Sequence, residues 1–135
     1  MGEPPLSALV DTNVLVRHLT GDPPDQAAAA TRFLGKSHNL ILVDVVVAEC
    51  VYVLESFYEA SRERVAEALR SAIALPSITV IDRALLLRAL EVYEHYGVHF
   101  AEAYLVAAAE LNGIQAVASF DRDLDRVASV RRVEP

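Results

Sequence analysis

The chain has 135 residues, of which 53% are hydrophobic, so we expect one compact domain spanning residues 1–135, and extensive disorder is excluded. A formal net charge of −7 argues against a protein that holds nucleic acid by a general basic surface, but it leaves room for an enzyme that acts on phosphodiesters. The single cysteine, Cys50, excludes an intramolecular disulfide and fits a reducing compartment.

No segment of the sequence is predicted to cross or enter a membrane. The longest apolar run, residues 40–54, contains two carboxylates and is shorter than the roughly 20 apolar residues that a span needs. The N-terminus has no basic stretch ahead of an apolar one, as a signal peptide would. We therefore expect a soluble, cytoplasmic protein.

Short β-branched runs alternate with longer helical patterns, which is typical of an α/β domain with a mostly parallel sheet. In chain order, the predicted strands cover residues 7–10, 40–43, 78–81, 115–119 and, as a short edge strand, 127–133. The helices between them are predicted to end near residues 20, 34, 54, 75, 96 and 111. The predicted helix N-caps are Thr12 or Asn13, then Asp22, Asp44, Ser61 and Asp82, and the predicted breakers are Gly35, Gly97 and Gly113.

Two aspartates directly follow apolar strands of this predicted sheet. Asp11 follows the first strand and Asp121 the fourth. Ligand sites in open α/β sheets collect at the carboxyl ends of the strands, so the pair is more informative than either acid alone. A single aspartate in that place is often only a helix cap.

Glu49 lies in an unusually apolar helical segment, and no Lys or Arg occurs between Lys36 and Arg62 to pair with it locally. A buried, unpaired carboxylate is costly, so we expect Glu49 to be partly desolvated for a functional reason. The alternatives are a narrow solvated stripe on this helix, or an ion pair with a distant arginine.

Glu102 lies in the first turn of the helix that begins at Phe100, where a favourable interaction with the helix dipole would also explain it. Carboxylates that converge on one point repel one another unless a cation is bound, and oxygen ligands favour Mg²⁺ or Mn²⁺. The histidines are too scattered for a zinc site; they are His18, His38, His95 and His99. Only His99, three residues before Glu102, lies near a candidate acid in the sequence.

Four segments together resemble the PIN-domain family and, within it, the VapC-type toxins of bacterial toxin–antitoxin systems. They occur in the family's order and cover nearly the whole chain, at residues 10–15, 48–54, 100–109 and 118–123. The resemblance implies a three-layer fold, with a central, mostly parallel sheet of four to five strands and helices on both faces. It also implies a metal-dependent endoribonuclease that cleaves structured RNA, either tRNA or rRNA.

The family's acidic quartet corresponds to residues that this sequence retains, with one departure. Its members here are Asp11, Glu49, Glu102 and Asp121, with Asp123 as an auxiliary metal ligand. The third acid is usually aspartate in the family, so the longer Glu102 puts metal affinity and rate in doubt. Thr12 and Ser119 match hydroxyl positions that orient the carboxylates.

The implied chemistry is attack of a metal-activated water on a phosphodiester, with Mg²⁺ or Mn²⁺ as cofactor. Arg17 and Arg122 are candidates for phosphate contact, although both could be solvated surface charges. The resemblance further implies a cognate VapB-type antitoxin, a homodimer and a toxin–antitoxin hetero-oligomer. An apolar cluster at Val53, Leu54, Phe57 and Tyr58 is either a partner surface or ordinary core.

Four other functions share parts of this pattern. A phosphatase of the haloacid dehalogenase type needs a second aspartate at the position that Asn13 occupies. A receiver domain needs acids and a lysine at positions where this sequence does not have them. A PIN fold that has lost activity is supported only by Glu102. A PIN nuclease of RNA maturation shares the toxin's chemistry, so the sequence does not separate the two.

Overall fold

The computed structural model describes residues 7–36 and 39–135, so His38 lies outside the described residues. The chain divides into two compact units, Met1–Ile81 and Asp82–Pro135, here the N-terminal unit and the C-terminal unit. The expectation of one domain over residues 1–135 stays a prediction. The two units separate the candidate acids into two groups.

The N-terminal unit combines a parallel sheet with four helices. Its elements are β1 (Ser7–Leu9), α1 (Thr12–Thr20), α2 (Pro24–Leu34), β2 (Asn39–Leu42), α3 (Asp44–Ser56), α4 (Arg62–Ile73) and β3 (Ile78–Val80). The strands are ordered β1-β2-β3, and both pairings are parallel. Each connection between paired strands passes through helices, as parallel pairing requires.

The core of this unit is formed by the central strand and by the apolar stripes of its helices. Leu40 and Leu42 of β2 are fully buried, as is Leu15 of α1. On α4 the buried positions follow helical spacing, at Val65, Ala66, Leu69, Ala72 and Ile73. This spacing directs one face of α4 inward and leaves its charged residues outside.

The C-terminal unit contains two long helices and a two-stranded parallel sheet. Its elements are α5 (Arg83–Tyr96), α6 (Phe100–Leu111), β4 (Ala116–Ala118), a short 3₁₀ helix (Arg122–Arg126) and β5 (Arg131–Val133), with β4 paired to β5. A two-pronged ion pair joins α5 to α6, because Arg88 Nε and Nη2 donate to the two carboxylate oxygens of Glu110 at 2.7 and 2.9 Å. The Tyr93 and Phe100 rings meet edge to face, with centroids 6.2 Å apart.

The α/β class with parallel strands is therefore confirmed. The described residues form five short strands, three in one sheet and two in the other. The first four strands lie within a residue or two of their predicted positions, whereas β5 occupies only the end of its predicted range. No helix within residues 7–36 and 39–135 is both long enough and apolar enough to cross a membrane.

The predicted helix boundaries at Ser61, Asp82 and Gly97 are confirmed. Ser61 Oγ accepts the Arg64 N–H at 3.2 Å, and Asp82 Oδ1 accepts the Leu85 N–H at 3.0 Å. Gly97 ends α5 with φ of 70°, in the left-handed region that glycine adopts without strain.

Three predicted caps are wrong by one residue. The first is Asp11 rather than Thr12 or Asn13, because its extended backbone and carboxylate satisfy the first N–H of α1. The second cap is Pro23 rather than Asp22, and the third is Val43, which places Asp44 in the first turn of α3. An acid in the first turn still interacts favourably with the helix dipole.

The Ser61 cap predicts a measurable contribution to stability. Replacing Ser61 by alanine should lower the free energy of unfolding by about 1 kcal/mol, because the Arg64 N–H loses its acceptor. Urea denaturation followed by circular dichroism measures the change. The matched control is Ser71→Ala on the same helix, where the exposed hydroxyl donates back to the Ala68 carbonyl and its removal should change stability little. Equal effects at the two serines would contradict the capping role.

Candidate active site

Asp11 stands where the edge strand β1 gives way to α1. The strand ends at Leu9, and the Thr12 N–H donates to Asp11 Oδ1 at 2.8 Å. The residue is exposed, so its carboxylate is accessible to solvent ions while the cap bond restricts its orientation. Asp11 therefore follows the strand, as predicted, and also caps the helix.

Glu49 lies on an exposed stripe of α3 rather than in a desolvated position. Its neighbours along the helix face are Val45 and Tyr52, which are 74% and 64% exposed. Glu49 is itself exposed, so the expectation that its carboxylate is partly desolvated is wrong. The alternative prediction, a solvated stripe on this helix, is confirmed. The opposite face of α3 packs inward through Val47, Cys50, Val51 and Leu54.

Asp11 and Glu49 both influence the buried thiol of Cys50. Burial, as the largest cause, and the negative charges of Glu49 and then Asp11 together raise the pKa of this fully buried thiol from 9.0 to about 12. Both carboxylates therefore act on a single sulfur. Both acids belong to the N-terminal unit and lie within electrostatic range of the same thiol.

Glu102, in the C-terminal unit, carries a polar atom without a partner. It lies in the first turn of α6, after His99, which precedes the helix without a side-chain cap bond. Its Oε2 is buried and accepts no hydrogen bond from any part of the chain that the structure describes. A buried carboxylate oxygen without a donor is costly, and a bound cation would remove that cost.

Asp121 is held by the loop that follows β4. Its backbone N–H donates to Ser119 Oγ, and its own Oδ1 accepts the Asp123 N–H, both at 2.9 Å. Ser119 thus orients the Asp121 backbone, whereas the Thr12 hydroxyl forms no hydrogen bond with a carboxylate of the described residues. Asp123 forms an ion pair with Arg126 at 3.2 Å, so its carboxylate already has a positively charged partner within the chain.

The donor chemistry of both groups fits a hard divalent cation. All the candidate ligands are carboxylate oxygens, the type that Mg²⁺ and Mn²⁺ prefer. Glu102 Oε2 offers a vacant acceptor position, and the negative charges of Asp11 and Glu49 both act on Cys50. Within residues 7–36 and 39–135, no three His, Cys, Asp or Glu side chains lie close enough together to form a metal site.

The apolar cluster predicted on α3 is divided between core and surface. Leu54 is buried, whereas Phe57 is 75% exposed. Tyr58 packs edge to face against Phe57, with centroids 5.0 Å apart, and its hydroxyl donates to Asp22. The aromatic part of the cluster is therefore the part available to a partner.

Gln26 lines a cleft between α1 and α2 together with Asn13 and Arg17. The sequence did not identify Gln26 as a candidate site residue. Nothing in the local sequence around Gln26 distinguishes it from a solvated helix residue. Only the packing of the two helices brings it to the same opening as Arg17.

Comparison with known proteins identifies a family and a similar solved structure. A family model described as the PIN domain matches residues 8–130. The chain is also similar to a structure of VapBC2 from Rickettsia felis bound to a DNA fragment from its promoter, at 12% identity and a TM-score of 0.39. That similarity covers 96% of this chain and 98% of the other. No match is found among curated proteins.

The raised pKa predicts that Cys50 is inert in the folded protein. At pH 8 an alkylating reagent should modify the thiol only after unfolding, because the reactive thiolate is suppressed by burial and by the two carboxylates. Mass spectrometry of iodoacetamide-treated samples, with and without denaturant, measures this. The raised pKa also stabilises the fold below pH 9, and that contribution is lost as pH rises towards about 12. Rapid alkylation of the native protein would show that the thiol is neither buried nor flanked by charge.

Proposed function

The chain belongs to the PIN-domain family, and from this we propose that it is a divalent-metal-dependent endoribonuclease acting as the toxin of a toxin–antitoxin pair. PIN domains are generally nucleases, so cleavage of a phosphodiester bond is the activity to expect. The observation that carries the proposal is the match of the PIN-domain model to residues 8–130, within which all four predicted acids lie.

The cofactor of this proposal is Mg²⁺ or Mn²⁺, with Asp11, Glu49, Glu102 and Asp121 as its ligands and Asp123 as an auxiliary one. Such an ion, when bound, supplies an acidified water and stabilises charge on the phosphate. Asp11 and Glu49 are exposed, so they remain accessible to a substrate carrying phosphate groups. The cap bond from Thr12 restricts Asp11, which favours one carboxylate geometry.

Glu102 and Asp121 contribute differently to the proposed site. The buried, unpartnered Oε2 of Glu102 supports a ligand role despite the longer side chain. Asp121 uses Oδ1 to accept the Asp123 N–H, so its position is fixed by the backbone of its own loop. Ligands held by local hydrogen bonds reorganise less during the reaction, which is an advantage for catalysis.

The toxin role and its partners rest on the resemblance of the four sequence motifs to VapC-type proteins. The proposed partners are structured RNA as substrate, a VapB-type antitoxin and a second copy of the chain. The exposed ring of Phe57, beside Tyr58, adds an apolar surface that a protein partner would cover. Co-purification with the product of a neighbouring small reading frame tests the antitoxin directly.

Replacing Asp11 by asparagine should abolish cleavage without unfolding the protein. Asparagine caps helices as well as aspartate does but lacks the negative charge that a metal ligand needs. We expect the rate of RNA cleavage in Mg²⁺ or Mn²⁺ to fall more than about 100-fold. The rate is measured on labelled RNA, and Glu67→Gln, on the exposed side of α4, serves as the charge-removal control. Induced expression should arrest growth with the parent and not with Asp11→Asn.

An Asp11→Asn protein that cut RNA as fast as its parent, with contaminating nuclease excluded, would refute the proposed mechanism. Cleavage by the parent without any growth arrest would instead retain the nuclease and favour a role in RNA maturation. Failure of the parent to cleave RNA at all would favour the inactive interaction module.

Glu102 is expected to bind metal through its carboxylate. Glu102→Gln should weaken Mn²⁺ binding about tenfold or more, whereas Glu102→Asp, which restores the usual residue of the family, should retain binding. Isothermal titration calorimetry measures both. If the glutamine variant bound Mn²⁺ as tightly as the parent, Glu102 would not be a ligand, and its buried oxygen would need another explanation.

A further inference from the structure

A cleft of about 370 Å³ opens between α1 and α2 in the N-terminal unit. Polar side chains at its rim come from both helices, Asn13 and Arg17 from α1 and Gln26 from α2. Its walls are apolar and are formed by Val14, Ala29, Ala30 and Phe33. A hydrogen bond between His18 Nδ1 and Thr31 Oγ1, 2.8 Å long, also joins the two helices.

Arg17 is the charged residue in this cleft, and it is incompletely satisfied. Its Nε is buried and has no hydrogen-bond partner among the residues that the structure describes. No carboxylate occurs among the described lining residues, although the chain as a whole carries a net charge of −7. Nε is sealed from solvent, so an anion in the cleft would meet the terminal guanidinium nitrogens, which form no hydrogen bond or ion pair with the described residues.

We propose that this cleft binds a phosphate of the RNA strand two or three nucleotides from the cleavage position, with the Arg17 guanidinium as the principal contact. This rests on the proposed function. Asn13 and Gln26 add amide donors for the phosphate or the ribose, and the apolar walls accommodate the face of the attached nucleoside. A planar guanidinium matches two phosphate oxygens at once, which an ammonium group does not.

The position of the cleft along α1 favours RNA over an acidic peptide. Arg17 lies six residues after Asp11, which is about 9 Å along a helix axis at 1.5 Å per residue. Nucleotides in a stacked strand rise about 3.4 Å each, so the phosphate at Arg17 is two or three nucleotides from the one at Asp11. Asn13 belongs to both the Asp11 motif and the cleft, which joins the two positions.

Fluorescence anisotropy with a short labelled single-stranded RNA tests the proposal, using Asp11→Asn as the background so that the RNA stays intact. Adding Arg17→Gln should raise the Kd about tenfold and reduce the slope of log K against log salt by about 0.7. Arg17→Lys should recover part of the affinity. The control is Arg32→Gln, which removes an exposed arginine on α2 outside the cleft and should change little. Circular dichroism and the urea midpoint establish that each variant is folded.

In the active protein, Arg17→Gln should raise KM with kcat nearly unchanged, because the contact lies away from the reacting phosphate. Equal affinity and equal salt slopes for Arg17→Gln and its background would overturn the cleft assignment while leaving the nuclease intact. Arg17-dependent binding of an acidic peptide, with RNA binding unaffected, would also overturn it. A parent that neither binds nor cuts RNA would refute the proposed function and this inference together.

Discussion

The hydrogen bond from the Thr12 N–H to Asp11 Oδ1 connects the main features of the N-terminal unit. It begins α1 directly after β1, and it restricts the carboxylate that we assign to metal binding. The same helix then carries Asn13 and Arg17 to the cleft beside α2. A change that displaced the start of α1 would therefore shift the acid and the cleft together. This explains why a substitution that keeps the cap, such as asparagine, is the informative one.

Glu49 is positioned by burial on the opposite side of its helix. Val47, Cys50, Val51 and Leu54 are all buried, and each loses favourable apolar burial if α3 rotates. The exposed orientation of Glu49 is thus fixed by its apolar neighbours and not by a partner of its own. The charges of both acids raise the pKa of the buried Cys50 thiol next to it, so the reactivity of this thiol is a probe of the site.

The sequence predicted elements that depend on local chemistry and failed where packing decides. Helices begin after Ser61 and Asp82 because their side chains accept backbone N–H groups of the first turn. The helix before Gly97 ends there because glycine adopts a positive φ without strain. The exposure of Glu49 was not predictable, since α3 is apolar on nearly every side and its sequence does not indicate which face turns inward. Asp11 was recognised as a strand-end acid, but adjacent polar residues offered equally good caps, and only the extended backbone at Asp11 distinguishes it.

The distribution of arginines gives the Arg17 cleft its significance in an acidic protein. Arg88 is engaged by Glu110, Arg126 by Asp123, and Arg132 by Asp125 and Glu134. Arginines in such pairs contribute little attraction to a polyanion, because the neighbouring carboxylate cancels their charge. A chain with a net charge of −7 must therefore attract RNA through a few unpaired cations close to the cleavage position. Arg17 forms no ion pair with the described residues and lines an open cleft, which is the character that such a contact requires.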